Sequence, residues 1–327
     1  MTPSDTEFIR AVDLLVAGEL VAFPTETVYG IGADAANPAA VAKIFAAKGR
    51  PADHPLIVHL AAADWIRYWA QNIPDPAWEI MEAFWPGPLT VILEKQAWVP
   101  DAITGGQKTV GLRVPGHPVA LELLRRFAAS NDKGGIAAPS ANRFGRISPT
   151  TATHVAAELG ERVALILDGG ACTVGIESTI VDFSRQQPVI LRPGHIAPAH
   201  LAAVLGMEPP IETAEGAPRV SGSLPAHYAP STAMRMLAKA EISNQLHSNT
   251  VALLIHSPDL QTCADALPKS AFNLLPDDPV GYAHALYAAL RDLDNCGADV
   301  ILVEQTPDTP AWSAVNDRLR RALAGSA

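Results

Sequence analysis

The chain has 327 residues, of which 48% are hydrophobic and 18% are charged. This is the balance of an ordinary globular protein, long enough for two domains with a core each. The net charge of −10 argues against an extended basic face for nucleic acid, and no apolar run approaches the roughly 18 residues of a membrane span. Cys172, Cys263 and Cys296 lack paired metal spacing, and the N-terminus lacks the pattern of a signal peptide. We therefore expect a cytoplasmic protein with no protein-bound metal.

Strand and helix patterns alternate in the first part of the chain. An apolar segment at 20–23 predicts a buried strand. Asn37 and Pro38 predict a helix start, and an apolar face continues to Lys48 before Gly49 ends the helix. The next predicted elements are a strand at 55–60, a helix from Asp75 to before Pro86, strands at 89–93 and 109–114, a helix at 117–129 and a strand at 135–138.

A loop without periodicity follows from Ser140 to Pro149, and we expect the next helix to be capped near Ser148 or Thr150. Short strands close together after residue 160 indicate a mixed sheet with some antiparallel pairing. The predicted elements here are strands near 163–168, 178–183 and 188–192 and a helix at 198–206. The alternation as a whole predicts an α/β fold.

Residues 207–230 contain five prolines and no apolar period, which predicts an interdomain linker. The alternation then resumes with strands near 233–237, 250–255, 271–275 and 299–303. We therefore predict a first domain at 1–206, a linker that can act as a lid at 207–230, and a small α/β domain at 231–327.

Four short stretches hold more polar and cationic groups than a packed core would choose: 24–30, 48–51, 140–142 and 177–179. Each lies where a predicted strand or helix ends, and an α/β fold exposes side chains to a ligand at such points. Two fixed cations with several hydroxyl and amide groups suit a triphosphate and a small zwitterion. Structural alternatives exist, because Lys48 can complement a helix dipole and Ser140 can belong to a turn.

Position favours a functional interpretation for two of the cations. Lys48 continues the apolar face of its helix, so its buried charge needs an anion. Arg113 lies inside an apolar run, and buried arginine is rare without an anion. The common nucleotide-binding glycine motifs and the nucleophile elbow are absent from the sequence, so covalent catalysis has little support.

Together the segments resemble the YrdC-like family of threonylcarbamoyl-AMP synthases, in the two-domain form. The matching segments are FPTETVYG (23–30), KGRP (48–51), HPLIVH (54–59), WPGPLT (85–90), GLRVP (111–115), APSAN (138–142), GIEST (175–179), LRPG (191–194) and HYAP (227–230). The resemblance covers about 10–206 as the synthase domain, with the linker and C-terminal domain after it. It implies a YrdC-like mixed twisted sheet flanked by helices and a second, smaller Rossmann-like α/β domain.

The resemblance also implies a reaction. L-threonine and bicarbonate or CO2 would form a carbamate, which attacks the α-phosphate of Mg²⁺-bound ATP and releases diphosphate. The product, threonylcarbamoyl-AMP, would pass to a partner complex that modifies an adenosine beside the tRNA anticodon, without stable tRNA binding by this chain. The implied catalytic residues are Lys48, Arg50, Ser140 and Asn142. The implied ATP-binding residues are Arg50, His54, Thr109, Ser140, Ser148, Arg192 and Tyr228. The implied threonine-binding residues are Thr27, His59, Arg113, Ala138 and Ser178.

Two alternatives remain open at this point. A carbamoyl-adenylate-forming enzyme that uses carbamoyl phosphate can have the same fold, although the paired cysteines of hydrogenase-maturation proteins are absent. A non-catalytic RNA-binding module is the second, and the acidic charge argues against it. The C-terminal segment 312–319 keeps an Asn-x-Arg-Leu pattern without the preceding glycines of the family, so we expect the C-terminal domain mainly to support the linker.

Overall fold

A computed structural model describes residues 2–212, 217–245, 250–264 and 267–326. These residues form two compact units. The first comprises Met1–Phe144, Pro149–Thr173 and Glu177–Ser223, and the second comprises Gly145–Ser148, Val174–Ile176 and Leu224–Ala327. The predicted domain boundaries at 206 and 230 remain predictions.

The first unit is built on a nine-stranded sheet in the order β7-β1-β2-β6-β3-β5-β4-β8-β9. Its strands are β1 (Val21–Phe23), β2 (Gly30–Asp34), β3 (Ile57–Leu60), β4 (Leu89–Glu94), β5 (Thr109–Arg113), β6 (Gly135–Ala137), β7 (Leu165–Ile166), β8 (Thr179–Asp182) and β9 (Val189–Arg192). Its helices are α1 (Asp5–Val16), α2 (Pro38–Lys48), α3 (Ile66–Trp69), α4 (Asp75–Phe84), α5 (Asp101–Thr104), α6 (Pro118–Ser130), α7 (Ala152–Leu159) and α8 (Pro198–Leu205).

The sheet is mixed, as predicted. Strands β3 and β5 pair in parallel, whereas β4 and β5 pair antiparallel. Helices α1 and α6 pack against each other on one face, where Phe127 belongs to the same apolar cluster as Val21 and Ile136. The second cluster contains Ile44 of α2 and Met81 of α4. Alternation of side chains along each strand therefore buries both faces of this part of the sheet.

Helix α2 has the predicted caps. The Asn37 side chain accepts from the amides of Ala39 and Ala40, and Gly49 has a left-handed φ of 63°. The predicted cap near Ser148 or Thr150 is one residue away from the observed one, because the Thr151 hydroxyl accepts from the His154 amide and caps α7.

Strand β2 is absent from the predicted elements. Its sequence is dominated by glycine and alanine, which lack the side chains that indicate strands. The reason is packing: a Cβ on Gly32 would lie 2.8 Å from Phe23 and 2.9 Å from Ile136. The close approach of these side chains therefore requires glycine at this strand position.

The second unit contains a four-stranded parallel sheet in the order β10-β13-β11-β12, which confirms a smaller Rossmann-like α/β unit. Its strands are β10 (Ala233–Leu237), β11 (Val251–Ile255), β12 (Phe272–Leu274) and β13 (Val300–Glu304), and its helices are α9 (Lys239–Gln245), α10 (Gln261–Ala264), α11 (Pro279–Asp294) and α12 (Ser313–Gly325). Within the described ranges of either unit, no helix has the length and apolar character needed to cross a membrane.

Candidate active site

Lys48 ends α2 with its ammonium group buried against the loop that follows β6. Its Nζ donates to the carbonyl oxygens of Ser140 at 2.5 Å and Asn142 at 2.6 Å. Burial, and then the charge of nearby Arg50, hold the pKa of Lys48 well below its usual value. Two of the three N–H groups of the ammonium are thus used to position the loop, and the third has no partner in the described part of the chain.

Arg50 lies just beyond α2 and is buried. Its terminal nitrogens donate to the carbonyl oxygen of Pro55 at 2.9 Å and to the hydroxyl of Ser221 at 3.4 Å. Burial, and then the charge of nearby Arg50, lower the pKa of His54. The His54 ring packs edge-on against Phe144, with the ring centroids 5.4 Å apart. The structure therefore brings a cation and a neutral imidazole together on the expected ATP side.

The linker residues 217–223 belong to the first unit and lie on its sheet. Val220 is buried in a cluster with Ile57 and Ile180. Ile57 is two residues from His59, so the linker covers the face on which His59 lies. A small cavity of about 10 Å³ remains between the linker and this face of the sheet, and Thr109 forms part of its lining.

Ser221 is the point at which two expected ATP-binding arginines meet the linker. The Arg192 guanidinium donates to its carbonyl oxygen at 2.7 Å, and Arg50 donates to its hydroxyl. Arg192 also donates to the Ser178 carbonyl at 2.9 Å and to the Ser178 hydroxyl at 3.1 Å. Arg192 therefore joins β9, the start of β8 and the linker.

Replacing Arg192 with methionine is expected to release the linker from the sheet. Loss of the charge-assisted bond to Ser221 should raise amide hydrogen exchange at 219–223 by roughly tenfold or more. The matched control is Arg125→Met, which removes an exposed arginine paired with Glu122 on α6. Equal exchange in the two variants would contradict this role of Arg192.

The expected threonine-binding residues lie on or beside β3, β5, β6 and β8 and in the loop after β1. Arg113 is buried and donates from NH1 to the Thr27 hydroxyl at 3.0 Å. His59 is the register partner of Arg113 across β3 and β5, so both side chains lie on one face. Ala138 directly follows β6, and its amide donates to the carbonyl oxygen of Ile57 at 3.0 Å. Ser178 is fully buried, and its hydroxyl is hydrogen-bonded to the Thr90 hydroxyl at 2.8 Å.

His59 gives the fold a specific pH dependence. Burial, and then the Arg113 charge, lower its pKa to about 3. Below its ordinary pKa of 6.5, the unfolded chain binds a proton that the folded chain does not, so stability falls as the pH drops from about 6.5 towards 3.

Between pH 7 and pH 5, the titration of His59 is expected to lower the free energy of unfolding by about 2 kcal/mol. Denaturant titrations of the wild type and of His59→Asn at both pH values measure it, since the other titrating groups are common to both proteins. The wild type should lose about 2 kcal/mol more than the variant. Parallel losses would show that His59 titrates normally in the folded state.

Two expected ATP-binding residues, Ser148 and Tyr228, belong to the second unit. Ser148 is fully buried. Tyr228 has a φ of 61°, and its ring stacks on Tyr287 at 5.6 Å and lies over the Arg318 guanidinium at 5.2 Å. Arg318 comes from the Asn-x-Arg-Leu segment of α12, so this unit holds the end of the linker through α12.

Among the described residues, no three histidine, cysteine, aspartate or glutamate side chains lie close enough to hold a metal ion. Glu26, the acid nearest to Arg113, is engaged in an ion pair with it. Within the described ranges, the acidic side chains therefore offer no cage of ligands for Mg²⁺.

Three residues that contact the expected site residues were not among those implied by the resemblance. Glu26 pairs with Arg113, Thr90 bonds Ser178, and Ser221 receives both arginines. Glu26 and Thr90 lie within segments that carry the family resemblance, which was the available signal. Ser221 lies in the linker, where sequence offers no periodicity to mark it.

Comparison with known proteins covers both units. The family model Sua5_yciO_yrdC, described as telomere recombination, matches residues 13–194. A second model, described as the C-terminal domain of threonylcarbamoyl-AMP synthase, matches residues 196–324. Together the two models span nearly the whole chain.

Individual relatives are similar over nearly their full lengths. A threonylcarbamoyl-AMP synthase of Pyrococcus abyssi is 37% identical over 95% of this chain and 92% of its own length. The corresponding protein of Bacillus subtilis is 38% identical over 99% of this chain and 95% of its own length. The crystal structure of P. abyssi Sua5 complexed with L-threonine superposes with a TM-score of 0.88 at 35% identity, covering 100% of this chain and 96% of that one.

Proposed function

Because the chain belongs to the threonylcarbamoyl-AMP synthase family in its two-domain form, we propose that it converts L-threonine, bicarbonate or CO2 and ATP to threonylcarbamoyl-AMP and diphosphate. The observation that carries this proposal is a pair of buried cation centres in the first unit. Lys48 donates to the Ser140–Asn142 loop with the charge of Arg50 nearby, and Arg113 donates to the Thr27 hydroxyl and pairs with Glu26. Two separate anion-binding centres suit a nucleotide and an amino acid carboxylate.

On the nucleotide side, we propose that Lys48 and Arg50 bind the phosphates and the departing diphosphate. Burial of Lys48, and then repulsion by Arg50, lower its pKa, and the negative charge of a bound polyanion would act in the opposite direction. The carbamate is already an anion, so the main barrier is the approach of two anions rather than removal of a proton. Catalysis would then depend mainly on positioning and electrostatic stabilisation. The nucleotide roles of Ser148 and Tyr228 remain predictions.

On the amino acid side, we propose that Arg113 binds the threonine carboxylate, with Thr27, His59, Ala138 and Ser178 around the substrate. Arg113 is the buried cation of this group, and a planar guanidinium matches a carboxylate. Neutral His59 adds no charge at physiological pH, because its pKa is about 3. Because Glu26 already balances the charge of Arg113, a carboxylate would be held by hydrogen bonds from the guanidinium rather than by a net positive charge.

The wider setting follows from this activity. We propose that Mg²⁺ enters with ATP, and that the product passes to a separate complex that completes tRNA modification in the cytoplasm. The net charge of −10 supports transfer without stable tRNA binding by this chain.

The test is diphosphate release by purified protein supplied with Mg-ATP, omitting L-threonine and bicarbonate in turn and, in a parallel assay, replacing both with carbamoyl phosphate. Release that requires both supports carbamate adenylation. Release that requires carbamoyl phosphate instead would favour the first alternative. Absence of turnover together with salt-dependent tRNA binding would favour an RNA-binding module.

A further inference from the structure

Glu26 and Arg113 form a buried ion pair at the expected threonine-binding centre. Their side chains are 9% and 5% exposed, and Oε1 of Glu26 lies 2.5 Å from NH2 of Arg113. The other carboxylate oxygen accepts from the Gly116 amide at 2.9 Å. Glu26 therefore connects the end of β5 to the segment that leads into α6.

The remaining contacts of Arg113 show how its guanidinium is oriented. Nε donates to the Gly87 carbonyl oxygen at 3.3 Å, and NH1 donates to the Thr27 hydroxyl at 3.0 Å. With the Glu26 bond, three of the five N–H groups of an arginine are used. Among the residues that the structure describes, nothing accepts the remaining N–H on each terminal nitrogen, and two is the number that a carboxylate accepts in a two-point contact.

A purely structural role accounts poorly for this pair. Burying two charges has a large desolvation cost, and apolar side chains of similar volume commonly stabilise a fold equally well or better. The neighbouring His59 also keeps Nδ1 buried without a hydrogen-bond partner among the residues that the structure describes. Two adjacent side chains on one sheet face thus retain unused polar capacity, which indicates a ligand.

We propose that Glu26 is a positioning residue for the substrate carboxylate. It fixes the Arg113 guanidinium so that the two remaining N–H groups face the amino acid, and it thereby sets the affinity for threonine. This role rests on the proposed function. Glu26 itself does not need to contact the substrate, since it acts through Arg113.

The test compares wild type, Glu26→Gln, Arg113→Met and the double variant in diphosphate release, with threonine varied at saturating Mg-ATP and bicarbonate. Glu26→Gln should raise the threonine KM by roughly ten- to hundredfold, as expected for loss of a charge-assisted hydrogen bond. The ATP KM should stay within about twofold, because Glu26 contacts only the amino acid side. Adding Glu26→Gln to Arg113→Met should change kcat/KM for threonine by less than about twofold, since Glu26 acts through Arg113.

Several results would overturn the inference. One is a double variant whose loss of kcat/KM for threonine equals the product of the two single losses. The others are a rise in the ATP KM of Glu26→Gln as large as that in its threonine KM, and an unchanged threonine KM in Glu26→Gln. Glu122→Gln is the matched control, because it neutralises a glutamate paired with surface arginines on α6. If Glu26→Gln does not fold, Glu26→Asp carries the same prediction, since it keeps the charge but is too short to bridge Arg113 and Gly116.

Calorimetric titration with L-threonine separates this inference from the proposed function. The wild type should bind, and Glu26→Gln should bind roughly ten- to hundredfold more weakly. Normal binding by Glu26→Gln would contradict only the role of Glu26. No binding by the wild type would contradict both.

Discussion

Replacing Lys48 with methionine is expected to lower kcat for diphosphate release by roughly 10²–10³-fold, the effect of removing a preorganised charge donor from an active site. The ammonium donates to the carbonyl oxygens of Ser140 and Asn142 and supplies a buried positive charge. Methionine has a similar length and keeps the apolar stem in the core. It removes the charge, the contact to the loop and the N–H available to phosphate. Single-turnover and steady-state diphosphate assays measure the loss.

Lys43 provides the control for this experiment. It lies on the same helix, is exposed and pairs with Glu19 at 2.8 Å. Lys43→Met changes the net charge by the same amount and should leave kcat within about twofold, because exposed ion pairs contribute little. A similar kcat in Lys48→Met and Lys43→Met would show that Lys48 serves only the fold.

Replacing Asp317 with alanine is expected to destabilise the second unit by about 3–5 kcal/mol. Asp317 is buried between two arginines of α12. Arg318 donates to one carboxylate oxygen at 2.7 Å, and NH2 of Arg321 lies 2.9 Å from the other. Burial raises the pKa of Asp317, but the two guanidinium groups outweigh this effect and hold it below its usual value. Alanine would leave both arginines buried without their common anion.

Native-state hydrogen exchange of the α12 amides measures this loss within the second unit. Asp292→Ala is the control, because Asp292 is an exposed aspartate on α11 in the same unit. It should change the opening free energy by less than about 0.5 kcal/mol. A loss below about 1 kcal/mol in Asp317→Ala would contradict the role of its carboxylate. The contacts of Asp317 with its two arginines should also weaken in acid, as the pH falls through the lowered pKa of Asp317.

The predicted helix at Lys48 shows why some features could be derived from sequence alone. Asn37, Pro38 and Gly49 act on backbone groups within a few residues, so local chemistry fixes both ends of α2. The burial of Lys48 follows from the same helical period. Its two contacts to the loop after β6 span sequence separations of 92 and 94 positions, and no local pattern encodes them.

By itself the sequence determined the α/β class, most of the strands, the helices at 38–48, 75–84, 118–130 and 198–205, the two-domain family and the polar segments at the ends of elements. Periodicity and caps are local signals, and a family resemblance is carried by short segments. The tertiary structure decided which of these groups meet. Glu26 reaches Arg113 across 87 positions and Arg50 reaches Ser221 across 171. Gly32 is required by Phe23 and Ile136, which lie on other strands. Such contacts depend on sheet order and register, which are set by burial of the whole chain rather than by any segment of it.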